Sequence, residues 1–128
     1  MDPLEKKILG STGLEVTRMG LGCAALGGLY GNIPDDQAYA VVQQALDLGI
    51  NLFDTAPLYG SGRSEQRVGH VLSRIPRDSF VLCTKVGRVL DPVKPGDEDR
   101  GQDIYDNPPP FKPVFDYSHD GVMRSFDE

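Results

Sequence analysis

The chain has 128 residues, 39% hydrophobic and 25% charged, and its 13 basic and 19 acidic side chains give a net charge of −6. No basic patch of the kind a nucleic-acid surface needs is present, no apolar run approaches the roughly 20 residues of a membrane-spanning helix, and the charged start MDPLEKKILG lacks the apolar core of a secretory signal. Cys23 and Cys83 each sit among apolar neighbours and read as buried thiols of a reducing compartment, so a cytoplasmic protein is expected.

Residues 6–20, KKILGSTGLEVTRMG, predict a β-hairpin, with two apolar-containing runs flanking the turn signal Ser11-Thr12-Gly13. A strand over residues 16–21 then dissolves into a loop rich in Gly and Ala. Asn32 or Asp35 is placed to cap a first helix, with Pro34 in a tolerated early position. Ala38, Val41, Val42 and Ala45 share one face of that helix, and Gly49 stops it. A second strand covers residues 50–54 and ends at Thr55-Ala56-Pro57. Ser64 is placed as the cap of a second helix with Val68, Val71, Leu72 and Ile75 on one face and Pro76 at its end. A third apolar strand covers residues 80–84.

The charge is unevenly spread. Residues 1–90 hold nine acids and nine bases, whereas residues 91–128 hold ten acids, four bases and six of the ten prolines. Residues 88–113 show no periodicity and are read as one long acidic, proline-rich loop, solvated rather than a partner site. A last helix is expected over residues 116–128, with Val122, Met123 and Phe126 on one face.

Strands alternating with helices imply βαβ units and a parallel sheet, either open and doubly wound or a (β/α)8 barrel. The run Gly20-Leu21-Gly22-Cys23-Ala24-Ala25 meets the dinucleotide fingerprint only with Ala25 in place of the third glycine. No helix of adequate pattern opens directly after it, and no acid ends a following strand about 20 residues on. A barrel fits better, because its catalytic residues gather at strand C-terminal ends, where Asp54, Tyr59 and Lys85 fall. Alternation along the strands puts Ile50, Leu52 and Asp54 on one face and Val81, Cys83 and Lys85 on one face, so Asp54 and Lys85 become neighbours on adjacent strand ends.

Alone, Asp54 reads as a turn or cap residue, Tyr59 as a buried aromatic and Lys85 as a solvated strand end. Together they read as an acid/base device. An ammonium beside a phenol favours its ionised form, and a carboxylate holds the ammonium. Such a phenol suits proton donation to a carbonyl or proton removal from an alcohol.

The runs GLGCAALGG, DTAPLYGSGRSE and TKVGR resemble the aldo-keto reductases. FDTAPLYG-x-G-x-SE, taken with the late FDYS-x-DGVMRS, is similar to the aldose 1-dehydrogenase branch of that family. The resemblance implies a (β/α)8 barrel closed at its bottom by the N-terminal hairpin. It also implies NAD or NADP as cofactor and a small aldehyde or sugar as the carbonyl/alcohol substrate. Under it, Tyr59 is the general acid/base, Lys85 acidifies it, and Asp54 pairs with Lys85 and approaches the nicotinamide ribose. The backbone near Gly22 and Cys23 lines the nicotinamide end, and Tyr30 touches substrate. A fourth residue, His, is expected at the end of a fourth strand, beyond Glu128. His119, read as lying in a loop before the last helix, is no substitute, and His70 reads as a surface or packing residue.

The chain is thus expected to be the N-terminal portion of a single barrel domain, comprising the hairpin and the first three βα units, the third incomplete. It is expected to be inactive and unstable by itself. The alternatives are a non-catalytic, cofactor-sensing subunit on the same barrel and a truncated product without function.

Overall fold

The computed structural model describes residues 2–97 and 104–128. The chain opens with β1 (Lys6–Ile8) and β2 (Glu15–Thr17), paired antiparallel with Lys7 opposite Val16. The turn is closed by Leu9 N–H donating to Leu14 O, with Thr12 Oγ1 donating to Leu9 O at 2.6 Å. The strand expected over residues 16–21 is in fact two. Val16 and Thr17 belong to the hairpin, and a separate β3 (Leu21–Gly22) starts the next sheet. Arg18 and Met19 turn the chain between them by donating their N–H groups back to Glu5 O and Pro3 O.

β3, β4 (Leu52–Asp54) and β5 (Val81–Cys83) form a parallel sheet in the order β3-β4-β5. Gly22 pairs with Asp54, and Asp54 with Cys83, so the three strands end level. α1 (Asp35–Asp47) connects β3 to β4, and α2 (Arg63–Leu72) connects β4 to β5. Phe53, with no exposed surface, packs with Ala38, Val42, Ala45, Val68 and Val71 of the two helices. Side-chain alternation then turns Leu52 and Asp54 to the opposite face of the sheet, and Asp54 is exposed there.

The helix starts differ from expectation. Neither Asn32 nor Asp35 caps α1: Pro34 occupies the cap position with no side-chain bond, because both polar side chains are drawn to arginines of α2. Val41 is 40% exposed, so the buried stripe is Ala38, Val42 and Ala45. Ser64 lies inside α2 with Gly62 at the cap. α2 ends at Leu72, before Pro76, and Ile75 packs partly buried against the core beyond the helix.

The stretch expected as one long loop over residues 88–113 carries strands at its two ends: β6 (Arg88–Pro92) pairs antiparallel with β7 (Phe111–Phe115), Leu90 opposite Pro113, and residues 98–103 of the expected loop lie outside the described residues. Leu90 N–H donates away from the ribbon to Glu128 Oε2 at 3.0 Å. Pro113 therefore faces a position where its missing N–H costs no ladder bond. The last helix, α3 (His119–Asp127), is capped by Ser118, whose hydroxyl accepts from Gly121 N–H. His119 is thus the first residue of the helix rather than part of a loop, and its side chain is solvated beside Asp120. The expected apolar face of α3 is not its buried face. Gly121 and Ser125 turn inward, while Met123 and Phe126 are exposed. No helix among the described residues is long and apolar enough to cross a membrane.

Candidate active site

The level strand ends bring Asp54 and Lys85 together. Lys85 Nζ lies 2.9 Å from Asp54 Oδ1 and donates to Thr55 O, also at 2.9 Å. The same ammonium sits 4.9 Å from the centroid of the Tyr59 ring. Desolvation opposes the charge on Lys85, but its hydrogen bonds to Asp54 and Tyr59 outweigh that and raise its pKa above the ordinary lysine value. Lys85 therefore stays cationic throughout the neutral range.

Tyr59 is held by its backbone. Its N–H donates to Ala56 O at 3.0 Å, and its carbonyl accepts Ser64 N–H at 3.1 Å, at the start of α2. Behind it lies a short 3₁₀ turn over Ala24–Gly27, which follows β3 where no helix was expected to open. Gly27 abuts the Tyr59–Gly60 peptide: a Cβ on Gly27 would lie 2.5 Å from the Tyr59 carbonyl carbon, and one on Gly60 would overlap the Gly27 carbonyl. Gly60 also has φ +66°, a conformation that disfavours side chains. The two glycines let the first loop press directly on the backbone of Tyr59.

A cavity of about 340 Å³ opens on Tyr59 and Lys85, walled by Pro57, Leu58, Val86, Arg88 and Tyr117. Arg88 lies over the Phe115 ring at 4.4 Å. Tyr117 packs on Gly87, where any side chain would collide with its ring. Pattern reasoning missed Arg88, which opens the segment taken for a loop, and Tyr117, which it placed within the last helix, whereas α3 starts only at His119.

Three expected residues fare differently. Gly22 ends β3 beside Asp54, and a Cβ there would meet nothing within 4 Å, so the strand end offers an open, side-chain-free floor. Cys23 turns inward with no exposed surface. Its N–H donates to Asp54 O at 2.8 Å and its carbonyl accepts from Ser64 Oγ at 2.7 Å. Cys23 therefore has no free group for a cofactor, and burial pushes its thiol up to about 11. Tyr30, 84% exposed at φ +58°, lines a separate recess with Ile104, Tyr105 and Asp106. It does not line the Tyr59–Lys85 cavity.

Arg67 also escaped the sequence reading. It is only 4% exposed. Its guanidinium donates to Leu26 O at 2.6 Å, Ile33 O at 2.8 Å, Asp35 Oδ1 at 2.9 Å and Asn32 Oδ1 at 3.3 Å. The loop between β3 and α1 is thereby fixed onto α2. A polar position between Gln66 and Val68 on a helix gives no sequence signal of this burial.

Residues 18–128 match the model of the aldo/keto reductase family. The chain belongs to that family. It is 43% identical to pyridoxal 4-dehydrogenase of Microbacterium luteolum, covering 97% of this chain and 38% of the relative. It is 35% identical to L-galactose dehydrogenase of Arabidopsis thaliana over 100% of this chain and 34% of the relative. Among solved structures, the aldo-keto reductase of Bacillus halodurans in its holo form superposes with a TM-score of 0.71 at 30% identity, covering 97% of this chain and 34% of that one. The chain thus spans little more than a third of the length of these aldo-keto reductases. Its three parallel strands and their helices are part of the family's α/β barrel fold.

Proposed function

We propose that the whole protein interconverts a carbonyl and an alcohol using NAD or NADP, with an aldose or small aldehyde as substrate and Tyr59 as the general acid/base. The observation behind this reading is the Lys85 ammonium, held by Asp54 at 2.9 Å and standing over the Tyr59 ring at 4.9 Å. In the reductive direction Tyr59 gives its phenolic proton to the carbonyl oxygen, and Lys85 stabilises the phenolate that remains. Asp54 orients Lys85 and offsets its charge. A reduced nicotinamide, when bound, would supply the hydride for the carbonyl carbon. The open strand end at Gly22 and the half-exposed Asp54 carboxylate suit the nicotinamide side of such a cofactor. The names of the relatives, dehydrogenases of pyridoxal and of sugars, support the substrate class.

Tyr59→Phe tests the reading. It removes only the proton donor, so turnover followed by nicotinamide absorbance is expected to fall about 10²–10⁴-fold. Cofactor binding, followed by fluorescence quenching, should stay near wild type. Retained turnover in this variant would remove Tyr59 from the chemistry.

A further inference from the structure

Thr55 follows the last residue of β4 and is 2% exposed. All three of its polar groups are engaged. Its N–H donates to Cys83 O at 2.9 Å, its carbonyl accepts from Lys85 Nζ at 2.9 Å, and its hydroxyl lies 2.9 Å from Ser64 Oγ. Ser64 has no exposed surface and donates its hydroxyl proton to Cys23 O at 2.7 Å. A hydroxyl has one proton to give. Ser64 has committed its own, so Thr55 is the donor between the two. The bonds therefore run one way, from Thr55 to Ser64 to Cys23, and Cys23 N–H then donates to Asp54 O.

Ser64 is the junction of this circuit. Its backbone N–H caps the Tyr59 carbonyl, while its side chain reaches Thr55, whose carbonyl holds Lys85. The ladder bonds of β4 and β5 already join the strands. What the hydroxyl pair adds is a buried tie between the segment holding the ammonium and the segment holding the phenol. A buried hydroxyl left without its partner is costly, so the two segments keep a fixed relation.

We propose that the Thr55–Ser64 hydroxyl pair is a positioning element, setting how the Lys85 ammonium meets the Tyr59 phenol without itself touching substrate. The inference rests on the acid/base reading of those two residues. Its test in the whole protein compares Thr55→Val, which removes the hydroxyl with little change of shape, with Thr55→Ser, which keeps it. Thr55→Val is expected to lower kcat about ten- to a hundredfold, the cost of misplacing a reacting group by a fraction of an ångström. KM and cofactor affinity should change little. The limb of the pH–rate profile belonging to the phenol should move to higher pH, and Thr55→Ser should recover most of the loss. Ser64→Ala should behave like Thr55→Val, with the double variant no worse than the poorer single one, because the pair acts as a unit.

Equal rates in Thr55→Val and Thr55→Ser would overturn the proposal. So would a loss with an unmoved pH limb and additive effects, which marks mere loosening. If Thr55→Val does not fold, Ser64→Ala against Ser64→Thr makes the same comparison. Should Tyr59→Phe keep its turnover, the acid/base reading fails. Should Tyr59→Phe lose turnover while Thr55→Val stays fully active, only the positioning role fails.

Discussion

The parallel sheet and its two helices bury Phe53, Val42 and Val68 to 1% exposure or less, whereas the β6–β7 ribbon and α3 leave Phe115, Tyr117 and Phe126 between 64% and 72% exposed. Among the described residues the core cluster runs from Cys23 to Phe80 and takes nothing from the later segment, whose own buried apolar side chains are Val89 and Tyr105. Within the later segment, polar contacts hold α3 to the ribbon. Arg124 pairs with Asp91 at 2.8 Å, Ser125 Oγ donates to Arg88 O at 3.2 Å, and Glu128 accepts from Leu90 N–H. Exposed ion pairs of this kind contribute little stability each. The first region is thus a packed wall that fixes Asp54 and Lys85, and the second is a lighter attachment that lends the cavity its Arg88 and Tyr117 edge.

Truncating one aromatic in each region is the sharpest way to break this contrast. Phe53→Ala is expected to cost about 3–5 kcal/mol in urea unfolding, while Phe126→Ala stays within about 0.5 kcal/mol. Similar losses at the two positions would erase the distinction. A smaller effect comes from Cys23. Burial raises its thiol from 9.0 to about 11 in the folded state, so its contribution is complete below pH 9 and is lost as the pH rises through 11. The loss is on the order of 2 kcal/mol, and it should vanish from the pH dependence of unfolding in Cys23→Val. A pH profile unchanged by that substitution would show that the thiol does not couple to stability. Smallest is Ser118→Ala, which removes the α3 cap and should cost about 1 kcal/mol. A proteolysis assay on α3 should register that loss while the sheet stays protected.

The same contrast explains what could be read from the sequence. Apolar spacing revealed α1, α2, β4 and β5 because their inner faces are apolar, and Asp54 and Lys85 could be assigned to strand ends, whereas β3 was run together with the hairpin strand over residues 16–21. It failed where polar atoms do the holding. Pro92, Pro108, Pro109, Pro110 and Pro113 made the ribbon look like a loop. Pro113 is tolerated because its partner Leu90 turns its N–H toward Glu128. Ser64 looked like a helix cap, since Ser before an apolar stripe is a cap signal, but its hydroxyl is spent on Cys23 and Thr55. On α3 the sequence pattern marked Met123 and Phe126, yet the ribbon accepts the face carrying Gly121 and Ser125, where small side chains allow close approach.

Arg67 has a consequence for how this wall opens. Its four acceptors all lie between residues 26 and 35, and the donor sits in α2, more than 30 residues later. Without those bonds the Leu26 and Ile33 carbonyls lose their tie to α2, and α1 starts with no side-chain cap of its own. The loop, the entry to α1 and the middle of α2 therefore open and close as one cooperative unit. Because Gly27 in that unit presses on the Tyr59 peptide, any excursion that frees the loop also frees the phenol.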